Sequence, residues 1–348
     1  MVVGATVRPM AQGSDRLVVA VTGPTGDIGK SVVRALERAD EVGRIVGMAR
    51  RPFDPADHGW TRAEYRRGDI LDRESVDALV AGADVVVHLA FVIFGSHEET
   101  HRVNLEGTRN VFEAAVAAGA RRLVYTSSVA AYGFPEGGRV LTEEDEPRGT
   151  DRFYYSAQKA ELEAVLRDAL AGSDTEAYVF RPCVVAGADA PTIITKLVDT
   201  VRLGGRLGPL ERVLGAVPGL KPVLPDTGLA FQLVHHDDVA DAVAAGAVGR
   251  GVSGPYNLAA PGELTSGDLA RALGWRSVRV PRLSVAATAE ILARVPKLPA
   301  ELSWINAFRT PVLMDSSKAR AELGWEPRLD AFETLYETVA DARDEGLI

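Results

Sequence analysis

The chain has 348 residues, 46% of them apolar, 25% charged and 6% aromatic, the profile of a globular enzyme and the size of one large α/β domain with a smaller lobe. A formal net charge of -9 argues against nucleic acid as a partner, because phosphate backbones are bound through clustered Lys and Arg. The single cysteine, Cys183, excludes an internal disulfide and a thiolate metal cluster and suits a cytoplasmic location.

Residues 1–15 have no apolar core of the kind a signal peptide carries and are expected to form a flexible leader. From residue 17 onward, short β-branched runs alternate with amphipathic stretches, the signature of βαβ units and a parallel sheet. The runs at 17–22, 44–49, 85–90, 122–127 and 177–182 read as buried strands, with helices at 28–38, 99–118 and 154–170. Together they predict a doubly wound parallel Rossmann sheet. The longest apolar run, 85–94, is interrupted by His88 and reaches about half of the roughly 20 residues that cross a bilayer, so no membrane partner is expected. His88 reads as a satisfied core histidine.

Directly after the first strand comes TGPTGDIG, with Gly23, Gly26 and Gly29 at GxxGxxG spacing before a helix. Glycines there let the backbone turn sharply and approach a pyrophosphate, which the helix N-terminus favours. Gly23, Thr25, Gly26, Asp27 and Ile28 are therefore candidate dinucleotide-binding residues. About 20 residues on, where an NAD site would carry a carboxylate for the ribose 2′-hydroxyl, stand Arg50 and Arg51. Guanidinium groups match a 2′-phosphate, so NADP(H) is the preferred cofactor and NAD(H) the alternative. In GDI, Asp69 is placed to accept from an adenine amino group and Ile70 to pack on the ring. In HLA, Leu89 and Ala90 would line the cofactor at the strand end.

The fifth predicted strand runs into TSSVAAYG, which puts Ser127 and Ser128 at the carboxyl edge of the sheet, and YYSAQK puts Tyr155 and Lys159 one helical turn apart on one face. A tyrosine is a poor base at neutral pH unless a neighbouring ammonium stabilises its phenolate. Ser128, Tyr155 and Lys159 with a glycine fingerprint supply a substrate hydroxyl donor, a proton relay and a cofactor site.

These pieces, with VNLEGTRNVFEAA, FRPCVVAG, HHDDVADA, YNLA and DSSKARAELGWEP, resemble the extended short-chain dehydrogenase/reductases, the NAD-dependent epimerase/dehydratase family, over residue 17 to the C-terminus. The resemblance implies that Tyr155 gives or takes the proton at the reacting carbon's oxygen, that Lys159 binds the nicotinamide ribose and lowers the tyrosine pKa, and that Ser128 orients the oxygen. It implies that Asn104 buttresses the nicotinamide side and that Pro182 and Val184 run past the carboxamide. It also makes a homodimer through the helices at 99–118 and 154–170 possible.

The expected organisation is a NAD(P)-binding domain at 16–190 and 232–261 and a discontinuous substrate lobe at 191–231 and 262–348. Asp237 and Asp238 are expected to cap a helix, which explains HHDD better than a metal site would. Val129 and Ala130 follow Ser128 where a dehydratase would place acidic groups, and Phe91, Val92, Ile93 and Phe94 add apolar surface. The expected function is hydride transfer between the nicotinamide and a carbonyl or alcohol carbon of a small or hydrophobic substrate. The alternative is a nucleotide-sugar epimerase with tightly bound NAD, using Arg202, Arg206, Arg212 and Lys221 for the diphosphate. A third class, a cofactor-sensing protein without catalysis, is opposed by the presence of Ser128, Tyr155 and Lys159.

Overall fold

The computed structural model describes residues 16–93, 97–135, 138–151, 153–192, 195, 196, 198, 222–281 and 312–348. The expected leader, Phe94, Arg202, Arg206, Arg212, Lys221 and much of the expected lobe therefore lie outside the described residues. In chain order the elements are β1 (Leu17–Thr22), α1 (Gly29–Arg38), β2 (Val42–Ala49), β3 (Ala63–Arg67), α2 (Arg73–Val80), β4 (Val85–His88), α3 (His97–His101), α4 (Gly107–Ala117) and β5 (Arg122–Thr126). There follow β6 (Val140–Leu141), α5 (Tyr154–Leu170), β7 (Glu176–Pro182), β8 (Val184–Ala186), β9 (Val223–Asp226), β10 (Leu233–His235) and α6 (His236–Val248). The chain closes with β11 (Gly254–Leu258), α7 (Ser266–Ala272), β12 (Arg276–Arg279), β13 (Leu313–Met314), α8 (Ser317–Leu323) and α9 (Ala331–Asp344).

Seven parallel strands form the central sheet in the order β11-β7-β5-β4-β1-β2-β3. The order reverses between β1 and β4, the place where a doubly wound sheet opens a crevice at its carboxyl edge. Alternate residues of β1 point to opposite faces: Val19 and Val21 join a core shared with α1 and α6, Ala20 one shared with α2, α4 and α5. With both faces covered, the central strands β1 and β4 are nearly continuous apolar runs and read clearly from sequence, whereas the edge strand β3, AEYRR, does not.

A third core gathers Ala186, Leu224, Leu233, Leu264, Leu269 and Leu335 beyond the carboxyl edge, where β8 pairs with β10. Ala319, Leu323 and Trp325 pack instead into the core of the main sheet. The C-terminal region is thus divided between the two cores. The α3 and α4 segments are joined through a π-helical turn, Arg102–Glu106, giving the nearly continuous helix expected there. Among the described residues no helix is long and apolar enough to cross a membrane.

One cap differs from expectation. The N-cap of α6 is His235, whose Nδ1 accepts from the Asp237 amide at 3.2 Å, while Asp237 and Asp238 stand in the first turn. Their charges favour the positive end of the helix without capping it.

Candidate active site

A cavity of about 590 Å³ opens at the carboxyl ends of β1, β4, β5 and β7. Gly23, Gly26, Asp27 and Ile28 line it from the first turn, Leu89 from the end of β4, Ser128 from the end of β5, Tyr155 and Lys159 from α5, and Pro182 and Val184 from β7 and β8. Each strand end delivers one group because the strands are parallel and in register. Residues far apart in sequence therefore meet on one edge.

The glycine turn is built for close approach. Gly23 has φ of +73°, and a Cβ there would stand 2.9 Å from the Ala90 amide nitrogen; at Gly29 it would stand 2.1 Å from the Gly23 carbonyl oxygen. At the start of α1 the Gly26 amide donates to the Gly23 carbonyl and the Gly29 amide to the Gly26 carbonyl, closing a tight turn that lines the cavity at the positive end of the helix. A narrow backbone cradle against a helix start fits a dinucleotide diphosphate. Asp27 is the unusual member: burial raises its carboxyl pKa, while a hydrogen bond with Thr192 and the Lys30 charge pull it back.

Tyr155 is hydrogen-bonded to Ser128, and burial pushes its phenol up to about 12. Burial likewise pulls the Lys159 amine down to about 7, with the Glu163 carboxylate acting against it. Desolvation governs both groups and favours their neutral forms. Ser128 also accepts from the Ala130 amide at 3.2 Å. Ser127, which also lines the cavity, commits its hydroxyl to Glu163 at 2.6 Å.

Several expected binding residues do not line the cavity. Thr25, Arg50 and Arg51 are exposed, the two arginines directly after β2. Asp69 accepts from the Leu71 amide at 3.0 Å in a local turn. Ile70 is buried in the core against Gly107, where a Cβ would meet it at 2.6 Å. Ala90 packs on that same core. Asn104 is fully buried and holds Val92 by its backbone, accepting at 2.8 Å and donating at 2.9 Å, and donates at 2.9 Å to Gln158. It thereby fixes the cavity wall that follows β4.

His88 is satisfied, as expected, between Thr22 at 2.7 Å and Thr108 at 2.9 Å, and burial lowers its pKa to about 3. The Cys183 thiol is buried and raised well above its ordinary pKa, the opposite of an activated nucleophile.

His235, His236 and Asp237 bring three ligand-type atoms within 4.8 Å of one another, closer than consecutive positions suggest. Yet His236 accepts from the Asp189 amide at 3.2 Å through Nε2 and shares Nδ1 with Ser31 at 2.7 Å. His235 uses Nδ1 for the helix cap and turns Nε2 to Glu337 at 3.3 Å. Three of the four ring nitrogens are thus hydrogen-bonded within the protein, and His235 Nε2 lies near Glu337 without a hydrogen bond.

Sequence reasoning missed a buried ion pair. Glu163 lies one turn beyond Lys159 on α5 and meets Arg181 of β7 through two contacts, 2.9 and 2.5 Å, both side chains being buried. Arg181 continues to the Tyr132 hydroxyl at 2.8 Å, and that hydroxyl donates to Asn257 at 2.7 Å. The step of four from Tyr155 to Lys159 to Glu163 was the available signal.

Comparison with known proteins accords with this geometry. The profile of the NAD dependent epimerase/dehydratase family matches residues 19–259. This chain belongs to that family. The human 3 beta-hydroxysteroid dehydrogenase type 7 is 34% identical over 215 residues, covering 56% of this chain and 57% of the relative. The ceramide reductase of Caulobacter vibrioides is 33% identical over 228 residues, covering 65% and 59%. The chain thus spans less than two thirds of either relative. Among solved structures, that of gox2253 superposes with a TM-score of 0.73 at 25% identity, covering 96% of this chain and 100% of that one. The family assignment makes the protein a nicotinamide-dependent enzyme with an oxidoreductase role.

Proposed function

We propose that the protein is an NADP(H)-dependent reductase, or in reverse a dehydrogenase, acting on a carbonyl or alcohol carbon of an apolar substrate. One observation carries this reading. Ser128, Tyr155 and Lys159 meet in a cavity whose described lining is otherwise mainly Val, Ile, Leu, Ala and Phe, Asp27 and Lys159 being the only charged side chains. An apolar wall of this kind favours an apolar ligand body with a few convergent polar groups at the reacting end. The steroid and ceramide named for the two relatives belong to the same chemical class.

The bound nicotinamide supplies or accepts the hydride at the carbonyl carbon. Ser128 donates to the substrate oxygen and orients it beside the Tyr155 hydroxyl. A phenol held near 12 keeps its proton at neutral pH and gives it up only to an oxygen becoming an alkoxide, which suits the reducing direction. Lys159, within one turn, holds the ribose side and supports the transient phenolate. Gly26, Asp27 and Ile28 would hold the diphosphate, Leu89, Pro182 and Val184 would line the nicotinamide end, and Arg50 and Arg51, exposed beyond β2, would meet a 2′-phosphate.

Fluorescence titration of the purified protein with NADPH and NADH tests the cofactor assignment. NADPH is expected to bind more tightly, and Arg50→Ala with Arg51→Ala to erase the preference, each contact contributing about 1.5–3 kcal/mol. NAD retained through purification, with no net turnover of aliphatic or polycyclic ketones, would favour the epimerase reading. Tyr155→Phe is expected to lower kcat with such ketones by about 100-fold to 10,000-fold and leave NADPH affinity unchanged.

A further inference from the structure

The Lys159 ammonium sits among aromatic rings. Its Nζ lies 3.8 Å from the centroid of Phe91, 5.1 Å from that of Tyr125 and 5.9 Å from that of Tyr155. It donates to the Thr126 carbonyl at 2.9 Å and to the Tyr125 hydroxyl at 3.4 Å, which leaves its third N–H for the face of Phe91. The Phe91 ring also meets Tyr155 in a T-shaped contact, centroids 5.5 Å apart at 87°. Phe91 comes from the segment after β4, far in sequence from the helix that carries both partners, and its neighbour Val92 is held in place by Asn104. We propose that Phe91 is a positioning residue for this site, its π face replacing the water that burial takes from the Lys159 ammonium while its ring fixes Tyr155 beside it.

The physical case is a balance of charge and solvation. Burial alone drives the amine toward its neutral form, and the facing groups decide how far it goes. Glu163, one turn along α5, favours the ammonium. His88 on β4 is held neutral, and Tyr125 on β5 is a phenol that burial keeps protonated. The Phe91 face adds the attraction of a ring quadrupole for a desolvated cation, which leucine of similar bulk cannot supply and tyrosine can. The inference rests on Lys159 and Tyr155 being the reacting pair, but its test needs no turnover.

The lysines of the chain are Lys30, Lys159, Lys196, Lys221, Lys297 and Lys318, few enough to follow individually by NMR of the free protein labelled with ¹³C at lysine Cε. Lys159→Arg assigns the resonance. Phe91→Leu is expected to lower the Lys159 titration midpoint by about one pH unit, and Phe91→Tyr to keep it within a few tenths. A midpoint in Phe91→Leu that is unchanged or higher overturns the proposal, as does a Phe91→Tyr midpoint that moves as far as the leucine one. Thermal melting identifies a misfolded variant, for which Phe91→Met takes the place of Phe91→Leu with the same expectation. A purely structural role for Phe91 would lower Tm and leave the midpoint where it was. A wild-type protein that turns over no ketone would sink the reductase reading while leaving this result intact.

Discussion

Asp27 stands in the turn where the proposed cofactor's diphosphate would lie, and an ionised carboxylate there repels it. Burial raises the carboxyl pKa and so reduces that repulsion, whereas Lys30 and the Thr192 hydrogen bond favour the ionised form. The sign follows directly: as pH rises through the Asp27 pKa the charge appears and dinucleotide affinity falls. Asp27→Asn removes the charge and keeps the shape. Its NADPH affinity is expected to exceed that of the wild type several-fold at pH 8 and the gap to narrow on acidification as the wild-type carboxyl takes its proton, read by fluorescence titration at high and low pH. Equal affinity at both values would mean that the carboxyl faces Thr192 in the complex and never meets the diphosphate. Asp69 shows the opposite lesson at this scale. A carboxylate read as an adenine acceptor in the sequence already takes the Leu71 amide on one oxygen, because an aspartate in a turn bonds its own backbone.

At the scale of elements, α5 does more than present a tyrosine and a lysine. Its inward face carries Tyr155, Lys159 and Glu163 at successive turns, and the last is clamped by Arg181 of β7 and by Ser127 at the end of β5. Glu163→Gln leaves a buried guanidinium without its counter-charge and is expected to destabilise the fold by about 3–5 kcal/mol in denaturant titration. It should also remove the carboxylate that supports the Lys159 ammonium, drawing that amine below its value of about 7. Pairing it with Arg181→Met should recover much of the stability and none of the amine shift, separating the two roles. The pattern of i and i+4 was legible for Tyr155 and Lys159 because a glycine fingerprint and a strand-end serine accompanied it. Glu163 was not, because a charge on a helix is ordinarily solvated and nothing in the local sequence names a partner on another strand. Asn104 and Phe91 were read as a nicotinamide buttress and as apolar surface, but the contacts through which they hold Val92 and face Lys159 exist only in the packed sheet.

Across the whole molecule, what was legible followed from burial on both faces of a parallel sheet. The runs at β1, β4, β5 and β7 are nearly continuous apolar stretches, so strand positions and the doubly wound order could be anticipated, whereas a third core assembled from Ala186, Leu233, Leu269 and Leu335 joins segments with no shared pattern. The price of so dry a sheet shows in acid. His88, on β4, is shared between Thr22 and Thr108, packs against Phe112 and Tyr125 at centroid distances of 5.7 and 5.9 Å, and has its pKa lowered to about 3 by burial, with the Lys159 charge adding to the effect. In the unfolded chain a histidine takes its proton near pH 6.5, so below that the unfolded state binds a proton that the native state refuses. Stability attributable to His88 is therefore complete above about pH 6.5 and is lost on acidification toward pH 3, at about 1.4 kcal/mol per pH unit. His235, whose pKa burial also lowers, pulls in the same direction, so the informative quantity is a difference between two proteins. Urea unfolding between pH 6 and pH 4 should show wild-type stability falling more steeply than that of His88→Asn by about one proton's worth, even though the variant is less stable at pH 7. Parallel slopes would mean that the native protein protonates His88 without opening its sheet, the packing around the end of β4 yielding to the added proton.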